Sequence, residues 1–322
     1  MKTILHTAMT ITALVVATQA HAQTYPTKSV RFIVPQATGG ASDVLARIIA
    51  QKLTEQWAQQ VIVDNRVGAG GNIGTEMTAR ATPDGYTWVL GFPGTHAINP
   101  ALYKNLTWDP EKNFTPVANL AVVPYVIVAN NNLPAKNMQE LMALAKAKPG
   151  ELKYGSGGNG TVNHLIGPMI ATAGGVKMTH VPYRGIAIAS TSVISGEVQL
   201  AFSSMPTVIG HIRGGLLKPL AVTTVKRLDA LKDVPTMIES GFPGFELTPW
   251  FGILTTAGAP PAAVKKINAD INQLLGQKDI AEKFAAQGAD PAPWSTEHFA
   301  KVIRADIVKW AKVVKESGAT LD

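Results

Sequence analysis

The chain has 322 residues, enough for roughly two domains, and its 46% hydrophobic and 16% charged residues exclude a disordered chain, a coiled coil and a charged low-complexity tail. The formal net charge of +7 is dispersed rather than gathered in a stripe, which disfavours nucleic-acid binding and favours a mild attraction for small anions. Because the sequence contains no cysteine, it excludes disulfides, a thiol nucleophile and a lipid-modified cysteine.

The N-terminus has the pattern of a secretory signal peptide over residues 1–22. Lys2 gives a positive start, residues 8–17 are mostly apolar, and Ala20-His21-Ala22 is a small-x-small cleavage site. The apolar stretch is too short to span a bilayer, and no run of 18 or more apolar residues follows it. We therefore expect a mature protein that begins at Gln23 and is exported, soluble and free of a lipid anchor. In a host with two membranes, this protein is periplasmic.

Short apolar runs alternate with helical periodicity along the mature chain. The runs that predict strands are 30–34, 61–63, 87–90, 152–154, the residues near 181, 220–223 and 250–255. The patterns that predict helices are 44–53, 72–81, 138–145, the segment after 161, 186–194 and three more segments between 261 and 322. Ser42 or Asp43 is the expected cap of the first helix, and Pro168 predicts a kink or an early end in the helix after residue 161. The alternation indicates an α/β fold with two mostly parallel sheets flanked by helices.

Three glycine-rich turns lie where predicted strands meet predicted helices. They are Gly39-Gly40, Gly68 to Gly74 and Gly155 to Gly160. Ligands of open α/β sheets bind at the carboxyl ends of the strands, and free N–H groups at helix starts attract anions there. Glycine lets the backbone approach a ligand closely, and Ser156 and Thr161 add hydroxyl groups. The three turns therefore favour a small anionic ligand over a purely structural role.

The sequence lacks the motifs of the enzymes that such a fold could support. The glycine spacing in residues 68–74 departs from a dinucleotide fingerprint, and no acidic residue ends the next strand. There is no Gly-x-Ser-x-Gly elbow and no His-Glu-x-x-His pair, and the histidines are scattered without ligand spacing. Only His164, just inside the helix after the third glycine turn, is expected near a ligand. We therefore predict a binding protein without cofactor or metal, with an exported hydrolase or lyase as the weak alternative.

The residues at these turns carry a resemblance to a known family. Five motifs occur in order: Ile33 to Pro35 with Gly39-Gly40 and Asp43; Val63 to Arg66 with Gly68 to Gly74; Tyr154 to Leu165; Val181 to Gly185; and Asp233 to Thr236 with Pro243-Gly244-Phe245. Together they resemble the periplasmic solute receptors of tripartite tricarboxylate transporters, also called the Bug family. The resemblance covers nearly the whole mature chain.

The resemblance implies a two-lobed periplasmic-binding-protein fold of type II, a Venus flytrap. Lobe one would comprise residues 23–123 and 251–322, and lobe two residues 124–250. The resemblance further implies a monomer that captures a small carboxylate-bearing metabolite in the cleft between the lobes. The partners would be the large and the small membrane subunit of a transporter. A periplasmic ligand-sensing protein that signals to a membrane kinase is the alternative that the sequence leaves open.

Ligand contacts follow from the resemblance residue by residue. Lobe one is expected to contribute Gln36, Ala37, Thr38, Gly39, Gly40 and Thr95. Lobe two is expected to contribute Ser156, Gly157, Gly158, Asn159, Gly160, Thr161, His164, Arg184, Gly185 and Ser203. The resemblance also implies two crossings between the lobes, near residues 121–124 and 249–252, and Trp250 at the second crossing is a further expected contact. In this family the carboxylate is held largely by backbone amides and water rather than by a paired arginine. Such amides can bind an anion without burying a second full charge, which would cost desolvation free energy.

Overall fold

The strands of the protein form two separate sheets. The computed structural model describes residues 25–317 and residue 319, so the predicted signal peptide lies outside the described residues. The strands are β1 (Val30–Val34), β2 (Val61–Asn65), β3 (Thr87–Gly91), β4 (Phe114–Val122), β5 (Tyr125–Ala129), β6 (Lys153–Ser156), β7 (Thr179–Pro182), β8 (Leu200–Ser204), β9 (Lys218–Val222), β10 (Trp250–Thr256) and β11 (Asp290–Pro291). The first sheet has the order β11-β4-β10-β3-β1-β2, and the second has the order β7-β6-β8-β5-β9. We call the part of the molecule around the first sheet lobe one and the part around the second sheet lobe two.

Helices cover both sheets, and the predicted α/β alternation is confirmed. The helices are α1 (Ala41–Trp57), α2 (Asn72–Ala79), α3 (Asn99–Leu102), α4 (Met138–Ala147), α5 (Val162–Gly174), α6 (Ile186–Ser195), α7 (Met205–Arg213), α8 (Pro261–Leu275), α9 (Lys278–Ala286) and α10 (Thr296–Ser317). The early end predicted from Pro168 is wrong, because α5 continues through this residue to Gly174. Leu165, Ile166 and Ile170 are fully buried around the proline, so packing of this face holds the helix together.

The two sheets are mixed, but most strands of each sheet run in one direction, as predicted. The β1, β2 and β3 strands are parallel, as are β6, β7 and β8. By contrast, β10 is antiparallel to both of its neighbours, and so is β5. The chain crosses from the first sheet into β5 and from the second sheet into β10, so each of these is the first strand after a crossing. Such a strand starts where the lobes meet, and it therefore runs against the strands that end there.

The chain crosses between the sheets twice. The first crossover leads from β4 through Val123 and Pro124 into β5, and the second leads from β9 through residues 223–249 into β10. The last helix, α10, contacts both lobes. Its first half packs against Trp250 through Phe299 and Ile303, and its second half enters the core of lobe two through Trp310. The residue limits predicted for the lobes stay a prediction.

The two lobes contact each other at the rim of the space between them. A Cβ atom built on Gly39 of lobe one would lie 4.0 Å from the Cβ of Ala187 in lobe two. A Cβ built on Gly185 of lobe two would lie 3.0 Å from the Cβ of Ala37 in lobe one. The structure is therefore the closed arrangement of the two lobes.

Candidate functional site

A cleft of about 600 Å³ lies between the lobes, where the glycine-rich turns of both meet. The predicted contacts that line it are Gln36, Ala37, Gly40, Gly157, Gly158, Asn159, Thr161, Arg184 and Gly185. Sequence reasoning did not assign the other lining residues as contacts: Pro35, Val67, Gly68, Ala69, Gly70, Gly71, Tyr103, Pro182, Tyr183, Ile186 and Ala187. The cleft is thus walled mostly by backbone and small apolar side chains.

Two helices, one from each lobe, begin at the cleft without a side-chain cap. The cap residue of α1 is Gly40, and the cap residue of α6 is Gly185. In the described part of the chain, no side chain accepts a hydrogen bond at either cap. The first N–H groups of a helix have no partner within the helix and carry its positive dipole end. The cleft therefore presents two preorganised sets of amide donors to an anion.

The predicted caps of α1 are wrong, because Ser42 and Asp43 have other partners. The hydroxyl of Ser42 donates to Gln36 Oε1 at 2.6 Å. The carboxylate of Asp43 accepts from Arg47 Nε at 2.9 Å, from the Gly39 N–H at 3.1 Å and from the side chain of Asn65. Burial alone would raise the pKa of Asp43, but these hydrogen bonds hold it below its ordinary value. Asp43 is thus a paired anion that braces the turn and leaves the helix start free.

The glycine loop of lobe two rests on two stacked histidine rings. His164 and His180 lie 4.2 Å apart between ring centroids and are nearly parallel. The loop contacts both rings, because the Gly160 N–H donates to His164 Nδ1 at 3.3 Å and Ser156 Oγ lies 2.6 Å from His180 Nε2. Burial lowers the pKa of both histidines, that of His180 to about 4, so both rings are neutral near pH 7. The predicted ligand contact His164 lies behind the cleft lining and supports the loop.

Thr161 caps α5 and ties it to the same loop. Its hydroxyl accepts from the His164 N–H at 3.3 Å and donates to the Gly158 carbonyl at 2.7 Å. We expect Thr161→Ala to lower the unfolding free energy by about 1 kcal/mol, because the helix loses its cap. Thermal unfolding should show a decrease of roughly 2–4 °C, and Thr161→Ser, which keeps the hydroxyl, should unfold near the wild-type temperature. Equal melting temperatures for the two variants would show that the cap contributes nothing.

Three predicted contacts lie in the protein core, which corrects their assignment. Thr95 is fully buried, and its hydroxyl donates to the Phe92 carbonyl at 3.1 Å. Ser203 is fully buried with its hydroxyl 3.0 Å from that of Ser190. Trp250 packs edge-on against Phe299, and its indole N–H donates to Asp306 Oδ2 at 2.8 Å. Sequence position alone did not show that these side chains point away from the cleft.

The remaining predicted contacts lie next to the lining residues. Ser156 is fully buried under the lobe-two loop, and Gly160 packs against Asn99 and Tyr103. Thr38 and Gly39 are in the turn before α1 but are not among the lining residues. Ser156, Gly160, Thr38 and Gly39 are therefore neighbours of the cleft lining.

The electrostatics of the cleft favour an anion. Among the described residues that line it, Arg184 is the only one that carries a full charge at neutral pH, and its side chain is exposed. Neutral amide donors and one solvated cation form a mildly positive site. Within residues 25–317 and 319, no group of three histidine or acidic side chains is placed to hold a metal ion.

A two-lobed α/β protein whose closed cleft is lined by helix starts has the architecture of a solute-binding protein. The chain belongs to the tripartite tricarboxylate transporter receptor family, whose model matches residues 45–319. The predicted family and the predicted periplasmic-binding-protein fold are thereby confirmed. Members of this family are periplasmic binding receptors rather than enzymes. In the described ranges of the chain, no helix is both long and apolar enough to cross a membrane.

Individual relatives match over almost their whole length. The protein BugT of Bordetella pertussis is 36% identical over 307 residues, covering 95% of this chain and 94% of BugT. The structure of Rpa4515 of R. palustris with adipate is 36% identical with a TM-score of 0.90, covering 92% of this chain and 100% of the other. MatC of Rhodopseudomonas palustris with bound malate is 30% identical with a TM-score of 0.86, covering 90% of this chain and 100% of the other.

Proposed function

We propose that the protein captures a small carboxylate-bearing metabolite in the interlobe cleft and delivers it to a tripartite tricarboxylate-type membrane transporter. The single observation that carries the proposal is the pair of uncapped helix starts, at Gly40 and Gly185, that border the cleft from opposite lobes. A carboxylate between them accepts hydrogen bonds from both lobes at once. The ligand thereby holds the lobes closed and shifts the population toward the closed form.

The chemistry of the lining fits a carboxylate better than a cationic or a neutral ligand. Oriented amides stabilise a negative charge, while the described lining offers no carboxylate to receive a cation. The solved structures with adipate and with malate support this choice, because both ligands are carboxylates. The direct contacts that we propose are the amides of the turns at residues 36–40, 157–161 and 184–187, with Arg184 at the rim.

The transport role extends the proposal to the whole protein. The exported, mature form would begin at Gln23, act in the periplasm as a monomer without enzymatic activity, and dock in its closed form onto the large and small membrane subunits. The mild positive charge of the chain favours encounter with small anions over long-range binding to nucleic acid. Residues 23–123 with 251–322 and residues 124–250 would move as two bodies about the two crossovers.

A thermal-shift comparison of acids with their amides tests the proposal. The protein, refolded to remove carried-over ligand, is mixed with adipate, malate and citrate and separately with the diamides of adipate and malate. A carboxylate at 100-fold over its Kd should stabilise the folded state by about 2.7 kcal/mol, or roughly 5–10 °C. The amides should give no shift, because they are neutral. Equal shifts with acids and amides would contradict recognition of the carboxylate.

A further inference from the structure

The helix α3 and the residue after it reach into the contact between the two lobes. Asn99 is fully buried and is hydrogen-bonded to lobe one, while Ile98, Leu102 and Tyr103 beside it pack against the core of lobe two. Its Nδ2 donates to Asn72 Oδ1 at 2.6 Å and to the Gly70 carbonyl at 3.1 Å. These two bonds fix the orientation of the side-chain amide, since both partners are acceptors. Asn99 is thereby tied to the second glycine-rich turn.

The side-chain oxygen of Asn99, Oδ1, faces lobe two. The atom nearest to a Cβ built on Gly160 is Asn99 Oδ1, and the ring of Tyr103 is next at 3.2 Å. Asn99 Oδ1 is buried and accepts no hydrogen bond from the described residues. A side chain of any size at position 160 would overlap with Asn99.

The facing turn of lobe one has no room for a side chain either. A Cβ built on Gly70 would lie 2.7 Å from the Asn159 carbonyl oxygen of lobe two and 2.9 Å from Tyr103 Oη. Contacts this short require the lobes to move apart or the loop to shift. Gly70 and Gly160, from opposite lobes, thus meet around Asn99 and Tyr103 without any intervening Cβ.

We propose that Gly70, Asn99, Tyr103 and Gly160, here called the glycine joint, set how far the two lobes close. Asn99 is a positioning residue, because it holds the turn at Gly70 and receives Gly160 when the lobes meet. The joint acts through steric fit between the lobes and requires no particular ligand, so it goes beyond the proposed transport function. A methyl group at either glycine would hold the lobes apart at this end of the cleft.

A cysteine trap measures closure without a ligand. The sequence has no cysteine, and the Cβ positions of residues 39 and 187 lie 4.0 Å apart in the closed structure, within the range of a disulfide. In a Gly39→Cys, Ala187→Cys background, the rate of disulfide formation under a fixed oxidant reports how often the lobes close. All further substitutions are compared in this one background, so its own strain is common to them.

Two matched pairs of glycines separate a closure defect from backbone strain. Gly70 and Gly175 have φ angles of +64° and +62°, and Gly160 and Gly150 have +80° and +82°, but Cβ atoms at Gly175 and Gly150 would meet nothing within 4 Å. We expect Gly70→Ala and Gly160→Ala to slow trapping about tenfold or more relative to Gly175→Ala and Gly150→Ala. Melting temperatures should stay similar within each pair, and if one joint variant fails to fold, the other pair decides.

Equal trapping rates within the pairs would overturn the glycine joint. Carboxylate recognition is tested separately, by the thermal-shift comparison in the protein without cysteines, because residues 39 and 187 lie in the turns proposed to bind the ligand. Failure of the joint and failure of carboxylate recognition are therefore distinguishable.

Discussion

Replacing Gly157 by leucine is expected to reduce the affinity for the carboxylate ligand by about 100-fold or more, since at least two charge-assisted hydrogen bonds are lost. A Cβ atom at this position would lie 3.1 Å from the backbone N of Ile186, the first residue of α6. The leucine side chain would therefore cover the amide donors that we propose for the ligand. The φ angle of Gly157 is outside the left-handed region, so a side chain is allowed there once the start of α6 shifts by a few tenths of an ångström.

The measurement is isothermal titration with the carboxylate that gives the largest thermal shift. Gly210→Leu is the matched control, because a Cβ at Gly210 in α7 would meet nothing within 4 Å and this residue does not line the cleft. Both variants should retain the wild-type circular dichroism spectrum, and the control should also retain the wild-type affinity. Unchanged affinity in the Gly157→Leu variant would place the ligand away from the start of α6.

The local sequence predicted most of the βα units, and also β10, but missed the strands β4, β5 and β8 and the helix α7. Strands such as β1 and β2 begin as apolar runs and are followed by glycine turns, so their type was evident from pattern alone. The β4 strand, by contrast, contains Pro116 and Asn119, which disfavour a central strand by propensity. Asn119 is fully buried, and its side chain is satisfied by the Ala292 carbonyl at 3.1 Å, a contact across the fold. Tertiary contact therefore decides this strand, and a single-sequence pattern contains no sign of it.

The wrong cap prediction at α1 shows that a local sequence rule for helix caps fails at the candidate binding site. Ser42 and Asp43 are good cap residues, and either at the right position would have satisfied the free N–H groups of the helix. The structure instead caps α1 with Gly40 and uses the two polar side chains to brace the preceding turn. The helix start remains available to a ligand at some cost in helix stability. Local inconsistency of this kind is expected at functional sites.

Some residues of the candidate site could be predicted from the sequence, and others could not. The glycine turns were found because several glycines at strand–helix junctions let the backbone approach a ligand closely. Tyr103 was missed, because its place at the cleft depends on how α3 lies against both lobes. Ser203 and Trp250 were assigned by position in the chain, but which face of a strand points to the cleft depends on the register of the whole sheet.

Acid should destabilise the protein through a histidine that the ligand does not reach. His96 is completely buried among aromatic rings, with its Nδ1 2.8 Å from Thr95 Oγ1 and its Nε2 without a partner in the described residues. Burial disfavours the imidazolium and lowers the pKa of His96 to about 3. The unfolded chain binds this proton near pH 6.5 and the folded protein does not. The stability that depends on neutral His96 is therefore fully present above pH 6.5 and is lost as the pH falls below it.

The expected size of this loss is about 1.4 kcal/mol per pH unit well below pH 6.5, or about 2 kcal/mol at pH 5 from His96 alone. His96→Asn keeps a donor near Thr95 but cannot take up a proton. We expect the variant to be less stable than wild type at pH 7, because the smaller side chain leaves a cavity. Between pH 6 and pH 4, however, its unfolding free energy should fall less steeply than that of wild type, by about 1.4 kcal/mol per pH unit.

Urea unfolding at several pH values measures how steeply the unfolding free energy of wild type and of His96→Asn falls with pH. The difference between these two slopes tests the prediction. His298→Asn makes the same substitution at an exposed position and thereby measures the effect of the substitution itself. His180, whose pKa burial lowers to about 4, titrates in every variant and contributes equally to each slope. Parallel slopes for wild type and His96→Asn would mean that the core around His96 admits the proton. In that case water or a partner reaches Nε2 when the pH falls, and the acid sensitivity of the fold arises elsewhere.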